Sequence, residues 1–310
     1  MPEIPVYDHE AVLAAVSPGE AIDRVREGFV AYAHGDWQMP AKTYVQVPNG
    51  DFRAMPAQGG GLAILKWITS FPGNPERGLP VVQGVISVSR AETGEPVALI
   101  DARAVTALRT GAVAAVAAQE LAREDAASVG IIGCGIYGSW AARCLAAHEY
   151  GPGICFDPDP DAAGALAGEL GWEAGSREDA LACDVVTCVT PGHEPVVRAD
   201  DLRAGLHLNM LGADGPGKAE MEIDAVARCR LFADEWRQAS HGGELTGAVE
   251  AGRVSREDVT ELGDVLTGRA AGRPDDEAIT LFDSTGLAIQ DLALCHAVLD
   301  TGVKGQAVRI

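Results

Sequence analysis

The spacing of apolar residues changes character along the chain. Residues 1–30 read as a helix after a short lead. Ser17-Pro18-Gly19-Glu20 is a cap-like start, and Ala21, Ile22, Val25 and Phe29 recur at helical spacing. Residues 42–100 carry short β-rich runs (TYVQV, AILKWITS, VVQGVISVS, EPVALID) separated by Gly, Pro and Asn turns, which predicts an antiparallel sheet. From 103 to 122 the pattern turns helical, and the run Ala112 to Ala118 predicts a packed helix. Beyond it strands alternate with helices: ASVGIIG, a helix to His148, GICFD, a helix to Leu170, CDVVTCVT, LHLNMLG and CRLFADE. That alternation implies βαβ units and a parallel sheet. The stretch Thr285 to Val298 is helical again.

The chain has 310 residues, which suggests two domains. With 47% hydrophobic and 22% charged residues it is globular. The net charge of −21 opposes phosphate backbones, so nucleic acid is not expected as a partner. No run reaches the ~18 apolar residues of a membrane span. The first residues, MPEIPVYDHEAV, do not read as a signal peptide. Seven cysteines without a CxxC spacing, several inside apolar runs, fit reduced buried thiols and a cytoplasmic protein, and no metal site is expected. Four of the 24 basic residues are lysine: Lys42, Lys66, Lys218 and Lys304.

Gly133, Gly135 and Gly138 form GxGxxG after the apolar strand Val129 to Ile132 and before a helix expected from Ser139 to Ala147. The first glycine allows a tight turn. The second lets backbone approach a pyrophosphate, and the third lets helix and strand pack closely. Asp157, closing the next strand, is placed to bond a ribose 2′-hydroxyl. With Asp159 and Asp161 nearby it disfavours a 2′-phosphate, so NAD is expected over NADP. Gly133, Gly135, Ile136, Tyr137, Gly138 and Asp157 are the candidate cofactor contacts. Thr190 joins them by its position in the next βα loop.

Five pieces, LKW (65–67), LRTGAVAAVAA (108–118), GxGxxG, GADGPGK (212–218) and FDSTGLAIQDL (282–292), resemble the ornithine cyclodeaminase/μ-crystallin family. They follow the family's order over nearly the whole chain. The resemblance implies an α/β protein. A Rossmann dinucleotide-binding domain at 109–292 is inserted into an α+β substrate and dimerisation domain at 1–108 and 293–310, completed by the C-terminal helix, with the active site in the cleft. It implies a homodimer joined through the sheets of the N-terminal domains. By the resemblance Lys66 and Asp214 are the catalytic pair. Arg109 and Arg53 bind the substrate carboxylate, with Lys42 nearby, and Ser284 and Gly286 approach the nicotinamide. Tyr137 stands where many members have Gln.

The residue chemistry agrees: an α-amino or α-imino acid is anionic at its carboxylate, which an Arg fork grips, and proton traffic at the nitrogen suits a carboxylate such as Asp214. Lys218 is expected to start the following helix. His193, His207 and His241 match no motif and are expected at the surface or in packing.

The family contains dehydrogenases and imine reductases, cyclodeaminases that use bound NAD catalytically, and non-catalytic crystallin-like binders. Cyclodeaminases of this family anchor a distal ammonium with an acid. Between Lys42 and Lys66 the only carboxylate is Asp51, in an expected turn. An NAD(H)-dependent oxidoreductase of the alanine dehydrogenase or ketimine reductase type is therefore favoured, acting on a small α-amino acid or its imine. The pocket walls are expected in the loops Gln58 to Gly61 and Phe71 to Gly78.

Overall fold

The computed structural model describes residues 3–148, 150–192, 194–215 and 217–309. The chain divides into two compact units, Met1–Arg109 with Leu287–Ile310, and Thr110–Gly286. Its main elements run β1 (Glu3–Tyr7), α1 (His9–Ala15), α2 (Pro18–His34), β2 (Thr43–Val47), β3 (Gly50–Gly59), β4 (Leu62–Ser70), β5 (Val82–Arg90), β6 (Pro96–Asp101) and α3 (Ala102–Leu121). Then come β7 (Val129–Ile132), α4 (Ile136–Ala147), β8 (Gly153–Phe156), α5 (Pro160–Leu170), β9 (Glu173–Ala174), α6 (Arg177–Leu181), β10 (Val185–Cys188), β11 (His207–Met210) and α7 (Ile223–Val226). The chain closes with β12 (Arg230–Ala233), α8 (Trp236–Gly242), α9 (Thr246–Glu250), β13 (Val259–Glu261), α10 (Leu262–Leu266), β14 (Thr280–Asp283), α11 (Ala288–Asp300) and β15 (Gln306–Arg309). Among the described residues no helix is long and apolar enough to cross a membrane.

The first unit is a seven-stranded sheet in the order β15-β1-β6-β5-β4-β3-β2. The strands β2 to β6 form the expected antiparallel meander. The sheet as a whole is mixed, because β1 pairs parallel to β6 and β15 antiparallel to β1. Neither β1 nor β15 is legible as a strand from alternation. Residues before Ser17 form β1 and the short α1, not part of a longer helix. The helix α2 starts where its cap indicates: Ser17 Oγ accepts the Glu20 N–H at 3.3 Å and Pro18 fills the first turn. Alternation along β3, β4 and β5 turns Met55, Ala57, Ile64, Lys66, Ile68, Ile86 and Val88 inward. The helix α11 packs against α2, β3 and β4. Asp51, expected in a turn, is the second residue of β3, and of the expected pocket-wall loops Gln58 and Gly59 are still strand.

The second unit is an eight-stranded sheet, β13-β12-β14-β11-β10-β7-β8-β9, with every pairing parallel. Its central strands VGII, VVTC, HLNM and TLFD are buried throughout, as a sheet covered on both faces requires. The order reverses at β7: β8 lies on one side and β10 on the other. In open parallel sheets ligands bind outside the carboxyl ends at such a switch point. The strand β14 was not marked by its sequence, α4 begins at Ile136 rather than Ser139, and α11 begins at Ala288 rather than Thr285. By compactness the second segment of the first unit begins at Leu287. His207 is a packing residue: its ring bonds Thr280 Oγ1 at 2.9 Å and Asn209 Oδ1 at 3.1 Å, and burial pushes its pKa down to about 3. His241 is exposed, and His193 lies outside the described residues. All seven cysteines are unpaired thiols, six of them buried.

Candidate active site

Strand β4 alternates Leu65 out, Lys66 in, Trp67 out, so a lysine occupies a core-facing position flanked in the sheet by Met55 and Ile86. It is fully buried. A charge placed against the hydrophobic pattern marks a site rather than a fold requirement. Its Nζ donates to Asp291 Oδ1 on α11 at 2.6 Å. Arg109, on α3, brings its Nε to 3.8 Å from the same oxygen, beyond hydrogen-bond reach, and donates through Nη1 to Gln290 Oε1 at 3.4 Å. Burial pushes the Lys66 pKa down to about 8; the Asp291 carboxylate opposes that shift and the Arg109 guanidinium adds to it.

Three polar atoms of this cluster are buried without a hydrogen-bond partner: Arg109 Nε, Gln290 Nε2 and Asp291 Oδ2. Lys66 adds to the excess, because an ammonium has three N–H donors and Asp291 takes one. Buried donors are ordinarily satisfied. Several unspent donors beside one unspent acceptor suit a small ligand carrying a carboxylate and a nitrogen.

Arg53 lies on the same inward face of the sheet, one row from Lys66: Arg53 pairs with Ile68 while Met55 pairs with Lys66. It bonds Asp51 through Nε at 2.6 Å and Nη2 at 3.2 Å, and its guanidinium lies 5.4 Å from the Tyr44 ring. Lys42 precedes β2 and is half-buried. Sequence reasoning missed Asp291 and Gln290. The signal was present as a Gln-Asp pair inside the otherwise apolar run GLAIQDLALC, both residues fully buried in α11.

In the second unit the glycine loop leaves β7 at the switch point. Gly133 has φ +96°, and a Cβ there would lie 2.5 Å from Val189 O. A Cβ on Gly138 would lie 1.8 Å from Gly133 O. A Cβ on Gly135, by contrast, would meet nothing within 4 Å beyond its own turn, and Gly135 caps α4 without a side-chain bond, so its backbone borders open space at a helix N-terminus. That is the arrangement a dinucleotide pyrophosphate needs. Ile136 is exposed and Tyr137 half-buried at the same turn. Asp157, directly after β8, accepts the Cys134 N–H at 2.7 Å and the Asp159 N–H at 2.9 Å. It braces the glycine loop and keeps further acceptor capacity for a ribose hydroxyl.

The neighbouring loops are tied by buried carboxylates. Glu220 accepts the Thr190 N–H at 2.5 Å and the Gly212 N–H at 2.6 Å, joining the loops after β10 and β11. Glu244 accepts the N–H groups of Glu220 and Met221 at 2.9 and 2.7 Å. Burial raises Glu220 to about 7 and Glu244 to about 8. Asp234, after β12, accepts the Gly286 N–H at 2.9 Å and the Ser284 hydroxyl at 3.1 Å, fixing that loop. Asp214 pairs with Lys218 at 2.7 Å, both partly exposed. Lys218 therefore faces Asp214 instead of opening a helix; the next one, α7, begins at Ile223.

The model of the ornithine cyclodeaminase/mu-crystallin family matches residues 6–306. An alanine dehydrogenase of Archaeoglobus fulgidus is 40% identical over 306 residues, 96% of this chain and 95% of that protein. An ornithine cyclodeaminase of Agrobacterium fabrum is 32% identical over 262 residues, covering 81% of this chain and 73% of that protein. A solved archaeal alanine dehydrogenase dimer with bound NAD superposes with a TM-score of 0.95 at 39% identity, covering all of both chains.

Proposed function

The chain belongs to the ornithine cyclodeaminase/mu-crystallin family, and from that premise we propose that it is an NAD(H)-dependent oxidoreductase acting on a small α-amino acid or its imine. The observation that carries this reading is the set of unspent buried donors around Asp291. The relatives that are alanine dehydrogenases support it.

In this reading the first unit supplies the substrate contacts. Arg109 and Gln290 present donors to the α-carboxylate, and Arg53 adds positive charge on the same sheet face. Because Asp51 already occupies two donor directions of Arg53, Arg109 carries more of that task. Lys66 donates to the imine nitrogen or carbonyl oxygen. In the second unit, Gly133 to Gly138, with Ile136 and Tyr137, hold the pyrophosphate, Asp157 the ribose, and Thr190, Ser284 and Gly286 border the nicotinamide. When bound, that group exchanges a hydride with the substrate α-carbon. Asp214 moves the accompanying proton.

The structure also bears on the cyclodeaminase alternative. Such a reaction needs an acid for the distal ammonium, and Asp51 is engaged by Arg53. The test supplies purified protein with NAD or NADP and an amino-acid panel, and with NADH plus pyruvate and ammonium or cyclic imines. Net change in NADH absorbance with a small amino or imino acid, greater with NAD than with NADP, is the expected result. Ammonia and proline formed from ornithine without net NADH would replace this reading with the cyclodeaminase one.

We propose further that two copies pair through the outer face of the seven-stranded sheet. Val45, Leu65, Trp67 and Val85 are exposed there on neighbouring strands, and the Phe52 ring stacks on Trp67 at 5.5 Å. Light scattering is expected to give a dimer for the parent and a monomer for Trp67→Glu combined with Leu65→Lys. A variant that stays dimeric places the interface elsewhere.

A further inference from the structure

Lys66 is the one buried lysine of the chain's four among the described residues, and its orientation depends on a single hydrogen bond, to Asp291. The charged and titratable groups that face it are few. Asp291 and Cys295 come from α11 and Arg109 from α3; its sheet neighbours Met55 and Ile86 are apolar. Burial pushes the Cys295 thiol up, so it stays neutral. Asp291 is therefore the anion that balances Lys66.

We propose that Asp291 is a positioning residue for the reaction. By gripping one N–H of Lys66 and balancing its charge, it aims the other two donors at the substrate and keeps a transferable proton on the amine in the working enzyme. The inference rests on the reading of Lys66 as a substrate-facing group. Two features support it beyond the 2.6 Å contact. First, Arg109 approaches the same Oδ1, so without Asp291 two cations would face each other across a buried site. Second, a buried ion pair is a poor device for stability alone, since apolar residues of equal volume commonly do as well. Its placement in the buried, largely apolar part of α11 points to the chemistry it allows.

The chain's few lysines make the test direct. Protein labelled with ¹³C at the lysine ε-carbons gives signals from Lys42, Lys66, Lys218 and Lys304 only, and Lys66→Met assigns the second. In the parent the Lys66 signal is expected to titrate near pH 8. In Asp291→Asn burial and Arg109 act unopposed, and the midpoint is expected to fall by at least about one pH unit. The alkaline limb of the kcat/KM profile should move with it, kcat should fall about a hundredfold, and NAD affinity should hold.

An unmoved midpoint, or a limb that stays in place while the rate merely scales down, overturns the proposal. If Asp291→Asn fails to fold, Asp291→Glu keeps the charge on a longer stem. It should hold the midpoint near the parent's while lowering kcat, and a parent-like kcat overturns the positioning role. The titration needs no turnover. A parent inactive on every amino and imino acid, yet with the midpoint shift intact, defeats the functional reading alone and upholds the charge balance at Lys66.

Discussion

Replacing Lys66 with methionine is expected to lower kcat by about three orders of magnitude, the middle of the range for a positioned proton donor. Methionine matches the stem in length and fills the same core position between Met55 and Ile86, so the loss is of charge and donors, not of volume. The stability effect has its own sign. Below pH 8 the parent bears the cost of a buried ammonium. Between about 8, where folded Lys66 releases its proton, and the ordinary 10.5, the unfolded chain still holds that proton. Stability contributed by this group therefore rises with pH across that window, by on the order of 3 kcal/mol. Lys66→Met has no such rise, so the parent's stability relative to the variant's should climb from pH 8 to 10.5.

At pH 7 the single variant leaves Asp291 buried with Arg109 as its nearest cation at 3.8 Å, a loss of about 3 kcal/mol. Adding Asp291→Leu removes the stranded carboxylate and is expected to restore the midpoint of thermal unfolding to the parent's or above, without restoring turnover. A double variant as unstable as the single one would show that the pair holds the fold. A single variant with parent kcat would remove Lys66 from the chemistry.

What the sequence made legible follows from how each signal is encoded. The parallel sheet, the glycine loop and Asp157 were readable because their partners are close in sequence: Asp157 braces Cys134, and both belong to one βαβ unit. The helix α2 declared its own start through Ser17 and Pro18. By contrast, β1 and β15 take their strand character from each other and from β6, and no local alternation announces a pairing between chain ends. The candidate residues divide the same way. Lys66, Arg109, Arg53 and Asp214 carry recognisable surroundings. Asp291 meets Lys66 across 225 positions of sequence, and Glu220 acts by catching two backbone N–H groups from separate loops. Neither bond has a periodic signature. Each shows in the sequence only as a charge in an apolar setting, which says that a partner is needed without saying which.

Two glycines of the same loop are expected to fail differently when each is changed to alanine, and the contrast separates the fold from the cofactor. A Cβ on Gly138 would stand 1.8 Å from Gly133 O and 3.0 Å from Gly133 C. Both are backbone of the turn itself, so no side chain can swing aside. To restore ordinary contact α4 must move away from β7 by more than an ångström, which opens a packed core and pulls the helix N-terminus off its aim. Gly138→Ala should lose about 2 kcal/mol or more of stability and bind NAD too weakly to measure at millimolar concentration.

Gly135 has an ordinary φ of −68° and open space around its missing Cβ. Gly135→Ala should therefore unfold at the parent's temperature. Its added methyl occupies only the space that a pyrophosphate would take, so NAD affinity should fall by at least about tenfold, a cost of 1.4 kcal/mol or more. Calorimetric unfolding with NAD titration of the three proteins reads both quantities. Parent-like NAD binding by Gly135→Ala would place the dinucleotide elsewhere than over this turn. Parent-like stability of Gly138→Ala would mean that the turn after β7 yields more than its backbone contacts allow.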